Sequence, residues 1–218
     1  MYFASRVQAG RMLAAKLVDK YRYENCAVVA LDDGGVVVGA QIAVQLHCVL
    51  TLLNSAEIKL PLEPKAIGGI TSAGSFAYNS QYTKGDLDDL VSENRNFIEQ
   101  EKYSILSRLN QSVAGTGTID KRLLWGRNII LVSEGLKSNL IIDMAYEFLK
   151  PVKIDKLIFA VPLASVAAVD RMHVMGDELI CLSVLEDFEN TNHFYDTQDV
   201  PDHQKIQKII EEIVLKWK

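Results

Sequence analysis

Residues 129–141 read IILVSEGLKSNLI, and this stretch decides the fold. Four large aliphatic residues run into Ser133-Glu134-Gly135, a polar Lys-Ser-Asn triplet follows, and the chain then becomes apolar again. This pattern is typical of a buried parallel strand that leads through a short polar loop into a helix. In α/β proteins such a loop lies at the carboxyl edge of the sheet, where ligands bind. The stretch therefore predicts a strand, a candidate ligand-binding loop and a helix, in that order.

Strand and helix patterns alternate along the rest of the chain, which predicts a parallel sheet with helices on both faces. Residues 36–47 favour a helix, although 36–38 would also extend the preceding strand. Residues 66–79 predict a hairpin, and residues 84–110 predict a long helix with room for one break. Together these two elements predict a small additional unit, here called the hood. The predicted strands of the sheet are 26–31, 50–53, 129–132, 156–161 and 178–184. The predicted helices are 6–20, 36–47, 84–110, 139–149 and one near 164–171, and the apolar stripe from 206 to 217 predicts a last helix.

Length and composition indicate an ordinary soluble globular protein with one domain over residues 1–218. The 218 residues are 49% hydrophobic and 23% charged, and the net charge of −5 does not fit a nucleic-acid partner. Three widely spaced cysteines without a CxxC pair predict neither a disulfide framework nor a zinc site. No apolar run approaches the roughly 20 residues that span a bilayer, and Arg6 and Arg11 interrupt any signal-like segment. We therefore expect a cytoplasmic protein without a membrane partner.

Three ordered segments resemble the type I phosphoribosyltransferase family, in particular its uncharacterised bacterial branch. They read FASRVQAGRMLAAKL at 3–17, VVALDDGGVVVGAQIA at 28–43 and GRNIILVSEGLKSNLIIDMA at 126–145. KAIGGI at 65–70, FAVPLA at 159–164, DELICL at 177–182 and the tail at 185–206 also fit that branch, so the resemblance covers nearly the whole chain. The resemblance implies binding of phosphoribosyl pyrophosphate (PRPP) with Mg²⁺, and transfer of ribose 5-phosphate to a nitrogenous base.

The resemblance assigns the sugar and its 5′-phosphate to the loop after the strand at 129–132. The family pattern has two acidic residues for the ribose hydroxyls, and this chain has Ser133-Glu134 before Gly135. A Thr-Gly-x-Thr-like turn and a helix N-terminus then hold the phosphate. Here the turn contains Lys137, Ser138, Asn139 and Ile141. Ser138 can replace one threonine, but Asn139 replaces the glycine and Ile141 removes a hydroxyl bond worth roughly 1.5–3 kcal/mol.

The resemblance assigns pyrophosphate to the loop after the first strand, where the branch has Pro-Arg-Gly-Gly. This chain has Asp32-Asp33-Gly34-Gly35, so an anion replaces a cation. Two unit charges about 4 Å apart interact by about 4 kcal/mol at an effective dielectric of about 20. The change is therefore expected to abolish pyrophosphate binding unless Mg²⁺ bridges the carboxylates to the phosphates. As an alternative to Mg²⁺ ligands, Asp32 and Asp33 fit a turn with two exposed aspartates.

Other candidate residues have a functional and a structural interpretation. The family has a basic Arg-Lys pair after its second strand. At the corresponding position, if one deletion is allowed, this chain has Ala56-Glu57, and Lys59 lies nearby and could compensate. Ser138 can serve simply as a helix N-cap. His193 and Tyr195 would stack on a base or a partner, or form a packed loop, and the packed loop is favoured because nothing pairs with His193 in an acid–base arrangement. GTGT at 115–118 lacks the lysine of a phosphate-binding loop.

Three functional hypotheses follow from these substitutions. The first is a phosphoribosyltransferase with reduced or lost catalysis, which needs Mg²⁺ only if it is active; catalytic residues stay unassigned and no resident metal is predicted. The second is a non-catalytic module that binds a phosphoribosyl group, a nucleotide or an anion. The third is a homodimer or subunit whose surface is the function, since many family members dimerise.

Overall fold

The computed structural model describes residues 2–112 and 119–213. The GTGT stretch at 115–118 and the end of the last apolar stripe lie outside these residues. The strands are β1 Cys26–Ala30, β2 Val49–Leu52, β3 Ser55–Lys59, β4 Ala66–Thr71, β5 Phe76–Tyr78, β6 Asn128–Val132, β7 Lys156–Ser165 and β8 Glu178–Leu185. The α-helices are α1 Arg6–Tyr21, α2 Asp33–Leu46, α3 Lys84–Glu93, α4 Arg95–Ser112, α5 Asn139–Leu149, α6 Val166–Met175 and α7 His203–Glu212, and short 3₁₀ helices cover Lys121–Leu124 and Thr191–Phe194.

Five parallel strands form the central sheet in the order β2-β1-β6-β7-β8. Strands β1 and β6 are buried at every position, as the aliphatic runs in the sequence predict. Val28 and Ile130 face α1, α2 and α7 in one core cluster, while Val29 and Leu131 face α5 and α6 in the other. Alternate residues point to opposite faces, so helices on both faces bury the whole strand. The predicted fold class, an α/β parallel sheet covered on both faces, is confirmed.

A second, antiparallel sheet of order β3-β4-β5 forms the hood together with α3 and α4. The predicted hairpin is β4 and β5, and the predicted long helix breaks once, at Asn94. Asp143 of α5 anchors the hood to the main sheet, because its carboxylate accepts bonds from Ser80 at 2.9 Å and from Arg171 at 2.6 Å. Gly69 of β4 packs against Met144 without room for a side chain. The hood therefore lies fixed against α5.

Two predicted element boundaries are wrong, and one strand was not predicted. Helix α2 begins at Asp33, so the Asp-Asp-Gly-Gly stretch is not a turn between a strand and a later helix. Strand β7 continues to Ser165, and α6 therefore begins at Val166 instead of near residue 164. Strand β3 was not predicted, since its burial comes from pairing with β4 and not from an apolar run of its own. In the described part of the chain, no helix combines the length and apolar character that crossing a bilayer requires.

Candidate functional site

The candidate site is the crevice between the carboxyl ends of β1 and β6. In the sheet, β2 lies on one side of β1, and β6, β7 and β8 lie on the other side. The chain therefore leaves β1 in one direction and β6 in the opposite direction. Connections that leave in opposite directions open a crevice at such a switch point, and α/β proteins bind ligands there. Asp32 follows β1 and Ser133 follows β6, so the two loops predicted from the sequence meet in this crevice.

Asp32 joins the two loops. It is the N-cap of α2, and its carboxylate accepts the backbone N–H of Gly35 at 2.5 Å. The same carboxylate accepts the Ser133 hydroxyl and, at 3.3 Å, the backbone N–H of Glu134. Burial and, to a smaller extent, the neighbouring Glu134 carboxylate outweigh the lowering effect of these bonds and raise the pKa of Asp32 to about 6.

The residues predicted for pyrophosphate binding lie in the first turn of α2. Asp33 is partly exposed, and its Oδ1 lies 3.6 Å from Nδ1 of His203 at the start of α7. Gly34 and Gly35 are buried. The interpretation of Asp32 and Asp33 as two exposed turn residues is wrong, because Asp32 caps the helix and its carboxylate is bonded to the β6 loop. A pyrophosphate at this position would meet two carboxylates at a helix N-terminus that Asp32 already caps.

Both carboxylate oxygens of Glu134 are bonded within the protein. Oε2 accepts Nε–H of Arg6, and Oε1 accepts the hydroxyl of Thr191 at 2.8 Å. The Tyr195 hydroxyl donates to the backbone carbonyl of Glu134 at 2.6 Å, and burial raises the pKa of Tyr195 far above its ordinary value. The acidic residue that the family resemblance assigns to ribose hydroxyls is thus occupied by side chains of the chain itself.

Arg6 is the centre of this network and is fully buried. Besides Glu134, its guanidinium donates to Asn192 and, at 3.2 Å, to Asp199, and it stacks 4.3 Å above the ring centre of Tyr195. The backbone N–H of Arg6 also donates to Asp199, at 3.2 Å. A buried guanidinium needs partners for its charge and its donors, and this cluster supplies them from two distant parts of the chain.

Residues 190–199, here called the strap, cover the crevice. The strap pairs with the N-terminal segment, since Phe3 N–H donates to the Phe194 carbonyl at 2.9 Å and Asp196 N–H donates to the Phe3 carbonyl at 3.0 Å. The ring of Tyr195 stacks on that of Phe3. The favoured prediction of a packed loop at 193–195 is borne out for Tyr195, which is buried, while His193 contacts the exposed ring of Tyr2.

The predicted 5′-phosphate loop lies at the start of α5. Lys137 is exposed, and Ser138 is the N-cap but makes no capping bond with its side chain. Asn139 is the first helical residue, and its Oδ1 is buried without a hydrogen-bond partner among the described residues. Ser165, at the end of β7, holds the loop by donating to the Lys137 carbonyl at 2.9 Å. This end of the crevice keeps uncapped helix N–H groups and one nearby cation.

The third predicted position does not contribute a cation to the crevice. Ala56-Glu57 lies inside β3 of the hood, not directly after β2. Lys59 is exposed and its Nζ lies 3.6 Å from a carboxylate oxygen of Glu57. The predicted compensation by Lys59 is therefore not supported by its placement.

The crevice does not fit a resident Mg²⁺ ion. Asp32 and Glu134 use their carboxylate oxygens for internal bonds, which leaves Asp33 as the partly exposed acid. Magnesium needs several oxygen ligands in a near-octahedral arrangement. Among residues 2–112 and 119–213, no group of three or more acidic, histidine or cysteine side chains is placed to hold a metal ion.

Replacing Gly34 with alanine is expected to destabilise the protein by about 1–3 kcal/mol. A Cβ on Gly34 would lie 2.5 Å from Cδ of Glu134, so the carboxylate would have to leave Arg6 and Thr191. Urea unfolding measures the change. Gly85 of α3 is the matched control, since a Cβ there meets nothing within 4 Å and alanine favours a helix. Equal effects at both glycines would contradict the close contact at Gly34.

Sequence reasoning missed four residues of this site: Arg6, Thr191, Asn192 and Asp199. Arg6 lies in the first segment that carries the family resemblance and is a charge inside an apolar helical pattern, but no role was assigned to it, and it lies on the buried side of α1. A charged residue on the apolar face of a predicted helix is a signal for a buried partner. Its partners could not be identified from the sequence, because Glu134 is 128 positions away.

The comparisons with known proteins agree with this fold. Two curated relatives, from the CDC 1551 and H37Rv strains of Mycobacterium tuberculosis, each named a "Putative phosphoribosyl transferase", are 26% identical over 186 residues. The match covers 83% of this chain but 40% of each relative, so the chain spans less than half the length of these proteins. The crystal structure of TT1426 from Thermus thermophilus superposes with a TM-score of 0.73 at 23% identity, over 97% of this chain and 99% of that one. No protein-family model matches the chain.

The fold and the crevice define an α/β protein with its candidate site at the topological switch point of a parallel sheet. The chain is similar in sequence to proteins named putative phosphoribosyl transferases, and it shares its fold with TT1426.

Proposed function

We propose that this chain is a phosphoribosyltransferase-family protein in which PRPP-dependent transfer of ribose 5-phosphate to a base is reduced or lost. One observation carries the proposal: both oxygens of Glu134 are bonded to Arg6 and Thr191. A sugar hydroxyl would have to displace these bonds, and a buried charge that loses its partner is costly. Asp33, in place of a cation, adds repulsion for pyrophosphate.

The direct test is PRPP turnover by the unmodified chain. We expect no pyrophosphate release above background with PRPP, Mg²⁺ and a panel of purine and pyrimidine bases. We also expect no thermal stabilisation at millimolar PRPP, because a ligand bound with useful affinity would raise the unfolding temperature by linkage. Turnover at a rate typical of an active enzyme, with kcat of about 1 s⁻¹ or more, or clear stabilisation would overturn the proposal.

A triple substitution that restores the family pattern is expected to gain PRPP binding. Asp33→Arg returns the cation, Asn139→Gly opens the backbone to the phosphate, and Ile141→Thr returns a hydroxyl. Two new charge-assisted contacts are expected to raise the affinity for PRPP about tenfold or more in calorimetry with Mg²⁺. Asp89→Arg, on the exposed surface of α3, is the control with the same change of charge. An equal gain in the control would show a general charge effect and contradict the assignment of these loops.

One observation favours an alternative, a non-catalytic module that binds a phosphate group. The N-cap residue of α5, Ser138, makes no capping bond with its side chain, and the exposed Lys137 precedes it. Binding of ribose 5-phosphate or a nucleoside monophosphate without any turnover would support this alternative. Self-association stays a prediction from the family resemblance, and light scattering tests it.

A further inference from the structure

The strap places a hydroxyl where the family resemblance assigns a sugar hydroxyl. Thr191 donates to Glu134 Oε1 at 2.8 Å, which is the distance and the donor type that a ribose hydroxyl would offer a carboxylate. Its neighbour Asn192 accepts a bond from Arg6, the group that holds the other Glu134 oxygen. The two residues therefore complete the hydrogen bonding of Glu134 and Arg6 without any ligand.

The strap lies directly on the loop that follows β6. A Cβ on Gly135 would lie 2.7 Å from Cγ2 of Thr191, so the Thr191 side chain packs this closely on the loop only because residue 135 is glycine. Tyr195 adds a second bond to this loop through the Glu134 carbonyl, at 2.6 Å. No room for a pentose remains between Glu134 and Thr191 in this arrangement.

Side chains hold the strap on the crevice, and its backbone bonds join it to the N-terminal segment. The strap contains one short 3₁₀ helix, Thr191–Phe194, and no long element. Its backbone bonds join it to residues 3 and 4 at the N-terminal end, and side chains make its bonds to the crevice. Segments with few backbone bonds to the core open at a lower free energy than the rest of a domain.

We propose that the strap is an internal occupant of the sugar end of the crevice, with Thr191 in the position of a sugar hydroxyl, and that a phosphorylated pentose binds only when the strap is open. The proposal deepens the proposed function and rests on the crevice being its ligand site. Because only molecules with an open strap bind the ligand, the apparent affinity of the crevice is its intrinsic affinity multiplied by the fraction of molecules in which the strap is open. Contacts that hold the strap closed are consequently contacts that oppose the ligand.

The test removes the two strap hydroxyls that bond to Glu134. The double variant Thr191→Val, Tyr195→Phe keeps the side-chain volumes and leaves Arg6 on Glu134. The control, Thr83→Val with Tyr82→Phe, removes the same two hydroxyls from the hood, where they bond to Asp86 and to the Lys65 carbonyl. Amide hydrogen exchange over residues 190–199 reports strap opening, and calorimetry with D-ribose 5-phosphate reports binding.

We expect faster exchange in the strap and an affinity for ribose 5-phosphate at least about tenfold above that of the unmodified chain. The control is expected to change neither quantity, and 2-deoxyribose 5-phosphate is expected to gain less because it lacks one hydroxyl for Glu134. Faster exchange without a gain in binding would overturn the proposal, and so would unchanged exchange. PRPP turnover by the unmodified chain at a rate typical of an active enzyme would overturn the proposed function alone, since it says nothing about the effect of the strap hydroxyls.

Discussion

Replacing Arg6 with alanine is expected to lower the free energy of unfolding by about 3–5 kcal/mol. Arg6 is fully buried, and its guanidinium is bonded to Glu134 and Asp199. Without it, two carboxylates would face each other in a partly desolvated crevice, and the penalty for an unpaired buried charge is larger than the value of the ion pair itself. Urea unfolding followed by circular dichroism measures the loss.

Two further variants separate this effect from other causes. Arg122→Ala removes an exposed arginine that is 2.8 Å from Asp120, and an exposed pair of this kind contributes little to stability because water screens it. Arg6→Lys keeps the charge but loses the planar fork that serves several acceptors at once, so we expect it to recover only part of the loss. An Arg6→Ala loss no larger than that of Arg122→Ala would show that the cluster does not stabilise the fold.

The effect of replacing Asp32 with asparagine on the free energy of unfolding is expected to be more favourable at neutral pH than at acidic pH. The pKa of Asp32 is about 6 in the folded state and 3.8 is its ordinary value, so folding favours the protonated form. The corresponding stabilisation is complete below pH 3.8 and is lost as the pH rises through 6. Since one pKa unit corresponds to about 1.4 kcal/mol, the loss by neutral pH is at most about 3 kcal/mol, and part of the side chain stays exposed, which reduces it.

Asparagine cannot ionise, yet its side-chain oxygen can still accept the N–H groups of Gly35 and Glu134 and cap α2. The stability of Asp32→Asn minus that of the unmodified chain should therefore become more favourable between about pH 4.5 and about pH 7.5. Urea unfolding at both pH values measures this difference. Asp88→Asn, on the exposed surface of α3, is the control. A difference that is constant with pH, or that changes in the other direction, would contradict a buried carboxylate with a raised pKa.

Much of the fold follows from local patterns in the sequence. Runs such as 129–132 are apolar at every position because both faces of a parallel strand are covered. Such a strand can therefore be recognised without knowing which strands and helices pack against it. The pattern at 84–110 left room for one break in the hood helix, and the structure places that break at Asn94. The start of α2 was not predicted, because two aspartates before two glycines are typical of a turn, and only the bond that the Gly35 N–H donates to the Asp32 carboxylate makes them a helix start.

The sequence by itself determined the strands of the central sheet, the helices that cover them, and the two loops that meet at the carboxyl edge of β1 and β6. The prediction that these loops lack a cation and a glycine came from the family resemblance. Only the tertiary structure decided that Glu134 is bonded to Arg6 and Thr191, which lie at opposite ends of the chain. The physical reason is that periodicity and capping depend on neighbours within a few residues, whereas a buried charge takes its partners from whatever elements the fold brings within hydrogen-bonding distance.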